Sequence, residues 1–319
     1  SFICGSDSSW DYLELTLQAG QTQVVVDSDG DGLSDGDEVN THGTDPNDVD
    51  TDDDGLSDGY ESLLSARDFR LRGSDIDGET VGDKSGYPVA LSADGSIVAI
   101  GARHNDGNGD GSGHVRLYQW DGSAWNQLGS DIDGEAAGDH CGSVALSADG
   151  SIVAIGAIWN DDNGYNSGHV RLFQWDGSSW NQLGNDIDGE AGGEGRGYGD
   201  NSGESVALSA DGSIVAIGAR YNDGNGMHSG HVRLYQWDGS AWNQLGSDID
   251  GEAAGDGGEI QVALSADGSI IAIGLLLNDG NGNESGHVRL YQWGGSSWNQ
   301  LGSDIDGEAA GDRSGICLL

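Results

Sequence analysis

The chain predicts an all-β protein: tandem four-stranded blades of a β-propeller, preceded by a loop-rich acidic segment. Three observations predict it. First, a unit of about 56 residues recurs, with the Asp of "SADGS" at Asp94, Asp149, Asp211 and Asp267. The first Asp of "DIDGE" recurs in step at Asp75, Asp131, Asp186, Asp248 and Asp304. Second, the stretch "HVRLYQWDGSAWNQLGSDIDGEAAGD" occurs twice unchanged, at 114–139 and 231–256. Third, the 58 Gly come with 10 Trp and 9 Tyr. Aromatic side chains at regular intervals imply repeated small cores, not a disordered linker.

Each unit reads as four short strands. "VALS" runs into "ADGS", whose Asp-Gly suits a type I′ turn. "IVAIGA" is a continuous apolar run, as expected of a strand covered on both faces. A Gly-rich loop, "NDGNGDGSG", leads to "HVRLYQW". "DGS" then forms a second hairpin to "AWNQLG", and "SDIDGEAAGD" connects to the next unit. Residues 69–72 align with "WNQL", so the array opens on a fourth strand. Four complete repeats follow, and "DRSGICLL" stops just inside a first strand. The expectation is a piece of a larger or incomplete ring. Upstream, alternation at 12–17 suggests the end of a preceding β segment. The resulting division is 1–26, an acidic segment at 27–61, a connector at 62–68 and the blades at 69–319.

Charge narrows the function. Twelve Lys and Arg face 55 Asp and Glu, a formal net charge of -43. Such a chain cannot neutralise phosphates, so nucleic acids and anionic membranes are poor partners, and cations are the obvious ones. No apolar run is long enough to span a bilayer. The start "SFICGSDSSW" carries neither an initiating Met nor a signal peptide, as in a mature chain or a fragment. Three scattered cysteines form no metal motif and no disulfide framework.

Within the acidic segment, Asp27, Asp29, Asp31, Gly32, Leu33, Asp35 and Glu38 occupy positions 1, 3, 5, 6, 7, 9 and 12 of a loop. Asp50, Asp52, Asp54, Gly55, Leu56, Asp58 and Glu61 repeat the pattern. Calcium takes six to eight hard oxygens at about 2.3–2.6 Å. Alternate carboxylates on a tight loop point inward, Gly at the sixth position permits the turn, and the seventh residue lends its carbonyl. Glu at the twelfth can bind through both oxygens. No amphipathic helix flanks either loop, which argues against an EF-hand. Few apolar side chains accompany the carboxylates, so ion binding must offset the cost of ordering, roughly 1–2 kcal/mol per residue.

The stretch "DSDGDGLSDGDEVNTHGTDPNDVDTDDDGLSDGYE", 27–61, resembles the thrombospondin type 3 repeat in the form common in secreted and surface proteins of bacteria. The resemblance implies a segment that folds around its ions, with Asp45 and Asn47 of "TDPN" as further oxygen donors. The blades, through "VALSADGSIVAIGA", "SGHVRLYQW" and "WNQLGSDIDGE", resemble FG-GAP repeats, as in the ligand-binding head of integrin α chains. They depart from that family in lacking a clean "DxDxDG" in a hairpin loop. Asp106, Asn108 and Asp110, with sister residues in the other units, therefore read as turn formers. His114, His169, His231 and His287, alike at strand starts, read as structural, and "SDIDGE" as an inter-blade turn. The paired Trp read as packing between blades.

The functional expectation is a non-enzymatic, calcium-binding adhesion or interaction protein, extracellular or at the cell surface, with a protein or glycan ligand. A lectin-like propeller, a structural surface or filament component, and a secreted hydrolase with its site in absent blades are the competing readings.

Overall fold

The computed structural model describes residues 26–51, 56–60, 62, 73–193 and 199–315. The chain divides into two compact units, Ser1–Leu71 and Arg72–Leu319. The expected strand at 12–17, the connector at 63–68 and the opening fourth strand at 69–72 lie outside the described residues, as does the end of the chain at 316–319.

Among the described residues, the second unit holds four five-stranded antiparallel sheets, one per repeat. In blade 1, β1 (Val89–Leu91), β2 (Ile97–Ala102) and β3 (His114–Trp120) lie side by side. The outer position is shared by β4 (Trp125–Gln127) and β5 (Ile132–Asp133), which both pair with β3. Gln127 lies opposite Tyr118 and Ile132 opposite Val115, so four residues of one strand face two of the other. The fourth strand is thus a single edge strand broken by a bulge at 128–131. The stretch expected to be a connector supplies the strand's second half, which corrects the sequence reading. Blades 2, 3 and 4 repeat this plan from Cys141, Ser202 and Ile260 onward. Their first strands stand next to one another in sequence order, as in the inner wall of a propeller.

The apolar run of the second strand is explained by its two neighbours. In blade 2, Val153 and Ile155 pack with Ile97, Ala99 and Leu117 of blade 1. The alternate residues, Ile152 and Ala154, pack with Val215 and Ile217 of blade 3. Period-two alternation is hidden because both faces are covered. Cys141 sits in the first of these cores, fully buried, and burial pushes its thiol up to about 11. It should therefore stay unmodified by an alkylating reagent at pH 8 in the native chain and react only on unfolding, as read by peptide mass mapping.

Specific contacts lock each blade to the next. The indole N–H of Trp180 donates to the Leu128 carbonyl at 2.8 Å, and Trp242 and Trp298 do the same to Leu183 and Leu245. Trp175 and Trp180, 5.3 Å apart at their centroids, close over Gly129. That glycine has φ 82, and a Cβ there would press into the Trp175 ring. The paired Trp are blade-to-blade packing. At the "ADGS" turns, amide N–H groups pass from Ala93 to Ala148, Ala148 to Ala210 and Ala210 to Ala266, each at 2.8 Å.

Serine donors hold the turn aspartates Asp94, Asp238 and Asp267 at about 2; they come from Ser96, Ser240 and Ser269. Unfolded Asp titrates near 3.9. Stability from these turns is complete above that value and is lost as pH falls through the folded value. The melting temperature of the blades should decline between about pH 4 and pH 2, and the triple Asp→Asn variant should flatten that decline.

Candidate metal centres

The first acidic copy folds as a loop closed by its own carboxylates. Asp27 accepts the N–H groups of Gly30 at 2.8 Å and Gly32 at 3.3 Å. Asp29 accepts that of Asp31 at 3.3 Å, and Asp31 that of Leu33 at 2.8 Å. Gly30 and Gly32, at φ 80 and 93, wind the chain tightly enough for this. Oxygens of Asp27, Asp29 and Asp31 lie within 4.8 Å of one another. Ser34 then caps a helical turn, α1 (Asp35–Asp37), which continues as a π-turn over Glu38–His42 and ends at Gly43 in the left-handed region. This helical piece is far too short for an EF-hand flank.

Position 9 has its own work in both copies. Asp35 accepts the N–H and O–H of Ser28, each at 2.8 Å. Asp58 accepts the same two groups from Thr51, at 3.1 and 2.6 Å. The two loops therefore close by the same clamp. Asp45 accepts the Asn47 N–H at 3.1 Å and side-chain amide at 3.3 Å in an exposed turn, outside the Asp27, Asp29 and Asp31 group. Leu33 is half-buried, Leu56 is exposed and Asp50 is half-buried. Asp52, Asp54 and Glu61 lie outside the described residues.

Glu38 is the electrostatic centre of this unit. Its side chain is fully buried and, among the described residues, neither carboxylate oxygen has a partner; Asp29 Oδ2 is likewise buried and unpaired among them. Burial first, then the charges of Asp29, Asp31, Asp35 and Asp58, push Glu38 up to about 7. Asp58 comes from the second copy. Beside it, the Gly59 N–H donates to the Asp31 carboxylate, and a Cβ on Gly59 would overlap the Asp31 carbonyl oxygen. The second copy thus closes on the first through a position that excludes a side chain. No Lys or Arg occurs between 26 and 62 to balance these groups. An all-oxygen donor set with orphaned buried oxygens fits a hard divalent cation such as calcium.

In the blades, the Gly-rich loops are internally satisfied. Asp106 accepts the Gly111 N–H at 2.7 Å, and Asp161, Asp223 and Asp279 repeat that bond. Asn108 donates to the carbonyls of Gly134 and Glu135 at 2.8 and 3.0 Å. Carboxylates gather elsewhere. Each strand-start histidine, His114, His169, His231 and His287, is at most 1 % exposed. Beside it stand one Glu and one Asp from successive "SDIDGE" stretches: Glu79 and Asp131, Glu135 and Asp186, Glu190 and Asp248, Glu252 and Asp304. Asp162 joins the second group. The histidines alone gave no sign of these groups, because equivalent strand starts in successive blades lie apart and cannot bring their side chains to one point. Each converges with carboxylates instead. The available signal was a fixed register: every one of these Asp follows its His by 17 residues.

A family model, the bacterial TSP3 repeat, matches residues 27–49. No curated protein matches the chain. Among solved structures, hydrazine synthase of Kuenenia stuttgartiensis is 12 % identical, with a TM-score of 0.42 over 74 % of this chain and 52 % of that one. TolB from Acinetobacter baumannii is 15 % identical, with a TM-score of 0.39 over 67 % of this chain and 43 % of that one. The β-propeller domain of the Trilobed protease from Pyrococcus furiosus is 9 % identical, with a TM-score of 0.41 over 68 % of this chain and 57 % of that one. The chain spans between 43 % and 57 % of the length of these structures.

Proposed function

We propose that this is a calcium-binding interaction protein of the cell exterior, in which an ion-ordered acidic segment accompanies a propeller that offers a binding surface. The observation that carries the calcium reading is Glu38, buried with both oxygens unpaired among four other carboxylates and no basic residue in its segment. A divalent cation removes that conflict, and ordering of the segment is then coupled to binding. The match of residues 27–49 to a repeat associated with calcium and with secreted proteins supports the same reading and the extracellular location.

A non-catalytic role is supported by how the blades use their acids. Turn, clamp and cluster carboxylates recur unit by unit in the same bonds, whereas catalysis calls for a constellation that breaks the repeat. The glycan-stacking variant draws less support, since Trp180, Trp242 and Trp298 spend their indole N–H groups on the blade boundaries. The test is hydrogen exchange on the full chain across a calcium titration. Protection should rise steeply over 26–51 as calcium is added while the blades change little. Equal exchange there with chelator and with millimolar calcium would refute the calcium reading.

A further inference from the structure

The histidine groups of the blades carry chemistry of their own. In each, the imidazole Nδ1 lies 3.8 Å from Oε2 of the Glu, at all four boundaries. Asp131 Oδ2 stands 3.9 Å from His114 Nδ1, and the Asp oxygens of the other three groups lie farther off, within 4.8 Å. These separations are too long for hydrogen bonds. Both ring nitrogens of His169, His231 and His287 are buried without a partner, as is Nε2 of His114. A buried imidazole beside two carboxylates, with both nitrogens unbonded among the described residues at three boundaries and Nε2 unbonded at the fourth, is costly unless something sits between it and the carboxylates.

We propose that each group binds a zinc-class divalent ion through His Nδ1, one Glu oxygen and one Asp oxygen, with water completing the shell. A tetrahedral shell with bonds of about 2.0–2.2 Å sets its ligands roughly 3.3–3.6 Å apart, so closure moves the Glu by about half an ångström and the Asp, which starts within 4.8 Å, by up to about 1.5 Å. Mixed imidazole and carboxylate donors suit zinc and its first-row neighbours, whereas calcium and magnesium prefer oxygen alone. The Glu side chains are 38–44 % exposed, so an ion has a way in.

Each carboxylate has a supporting group. The second oxygen of each Asp accepts the side-chain amide of a Gln, as Gln127 to Asp131, Gln182 to Asp186, Gln244 to Asp248 and Gln300 to Asp304. The second oxygen of each Glu faces an Arg: Arg171 Nη1 is 3.5 Å from Glu135 Oε1. Both carboxylates are thus aimed from behind, as metal ligands commonly are. The bulge at 128–131 ends on Asp131 and turns it back toward His114, a common use of a bulge. The Glu precedes the blade that supplies the His and Asp, so each ion would fasten a blade to the connector entering it. Zinc would then strengthen the propeller at four repeated seams.

The test uses the full chain, stripped with chelator and held in excess calcium to fill the acidic segment and screen loose surface binding. Zinc titration by calorimetry with metal analysis should give four further equivalents per chain and a higher melting temperature of the blades. The combined E79Q, E135Q, E190Q and E252Q variant keeps an amide oxygen to face each buried Arg, circular dichroism checks its fold, and E190Q alone carries the test if the combined variant fails to fold. The combined variant should lose all four equivalents, and E190Q alone should lose one. With cobalt in place of zinc, a visible ligand-field band should appear in the parent chain and vanish in the combined variant. No zinc uptake in excess calcium, or uptake that survives in the combined variant, overturns the proposal. Neither result bears on calcium at residues 27–61, which the exchange experiment reads separately.

Discussion

Glu38→Gln should weaken calcium binding by the acidic segment on the order of 100-fold or more, because it removes the residue placed to bind through two oxygens. The same change should have the opposite effect without calcium. In the ion-free state Glu38 brings a buried carboxyl into a cluster with Asp29, Asp31, Asp35 and Asp58. A neutral amide of the same shape relieves that repulsion. The variant should therefore be better protected than the parent over 26–51 in chelator, and less protected in calcium. This crossing is specific to an ion ligand; a residue that merely packs would lose protection in both states. Calorimetry gives the affinity and hydrogen exchange gives the crossing. Parent-like calcium affinity in the variant would rule out Glu38 as a ligand.

What the sequence disclosed follows from how local each feature is. The loop at 27–38 could be read because its donors and turn-forming glycines lie within twelve residues, and the folded loop keeps Asp27, Asp29 and Asp31 together. Its closure by Asp58 and Gly59 was not legible, because nothing in a spacing rule says that one copy folds over the other. The blades were legible as repeats, and the apolar run "IVAIGA" correctly implied two covered faces. The outer strand was cut short because "SDIDGE" is polar and Gly-containing and reads as a turn, although only its start belongs to the irregular stretch at 128–131. That stretch is a bulge, after which Ile132 and Asp133 pair again. The histidine groups stayed hidden for a related reason. Their Glu lies in a different unit of the repeat, some 35 residues before its His, and only packing of consecutive blades brings the two together.

Arg171 exposes the same limit and gives the sharpest test of blade coupling. Nothing in "HVRLFQW", 169–175, marks its Arg as buried, yet Arg171 is only 6 % exposed. Its Nη2 donates to the Asp133 carbonyl at 2.6 Å, its Nη1 faces Glu135, and its guanidinium lies 5.4 Å from the centre of the Phe173 ring. One side chain therefore holds the bulged edge of blade 1, the connector and the core of blade 2. Arg116, Arg233 and Arg289 make the matching bond to Asp77, Asp188 and Asp250. Arg171→Ala strands a buried carbonyl and removes the countercharge of the half-exposed Glu135, a loss of about 2–4 kcal/mol. For a unit of this size that is a fall in melting temperature of roughly 10 °C. Arg171→Lys should recover only part of it, since an ammonium cannot reach the carbonyl and the carboxylate in the same planar geometry. In a chain of nearest-neighbour repeats the damage should be local. Exchange should quicken in blades 1 and 2 first, and blade 4 should keep its protection until the main transition. Uniform loss across all four blades, or a cost below about 1 kcal/mol, would mean that the apolar cores alone hold the seams.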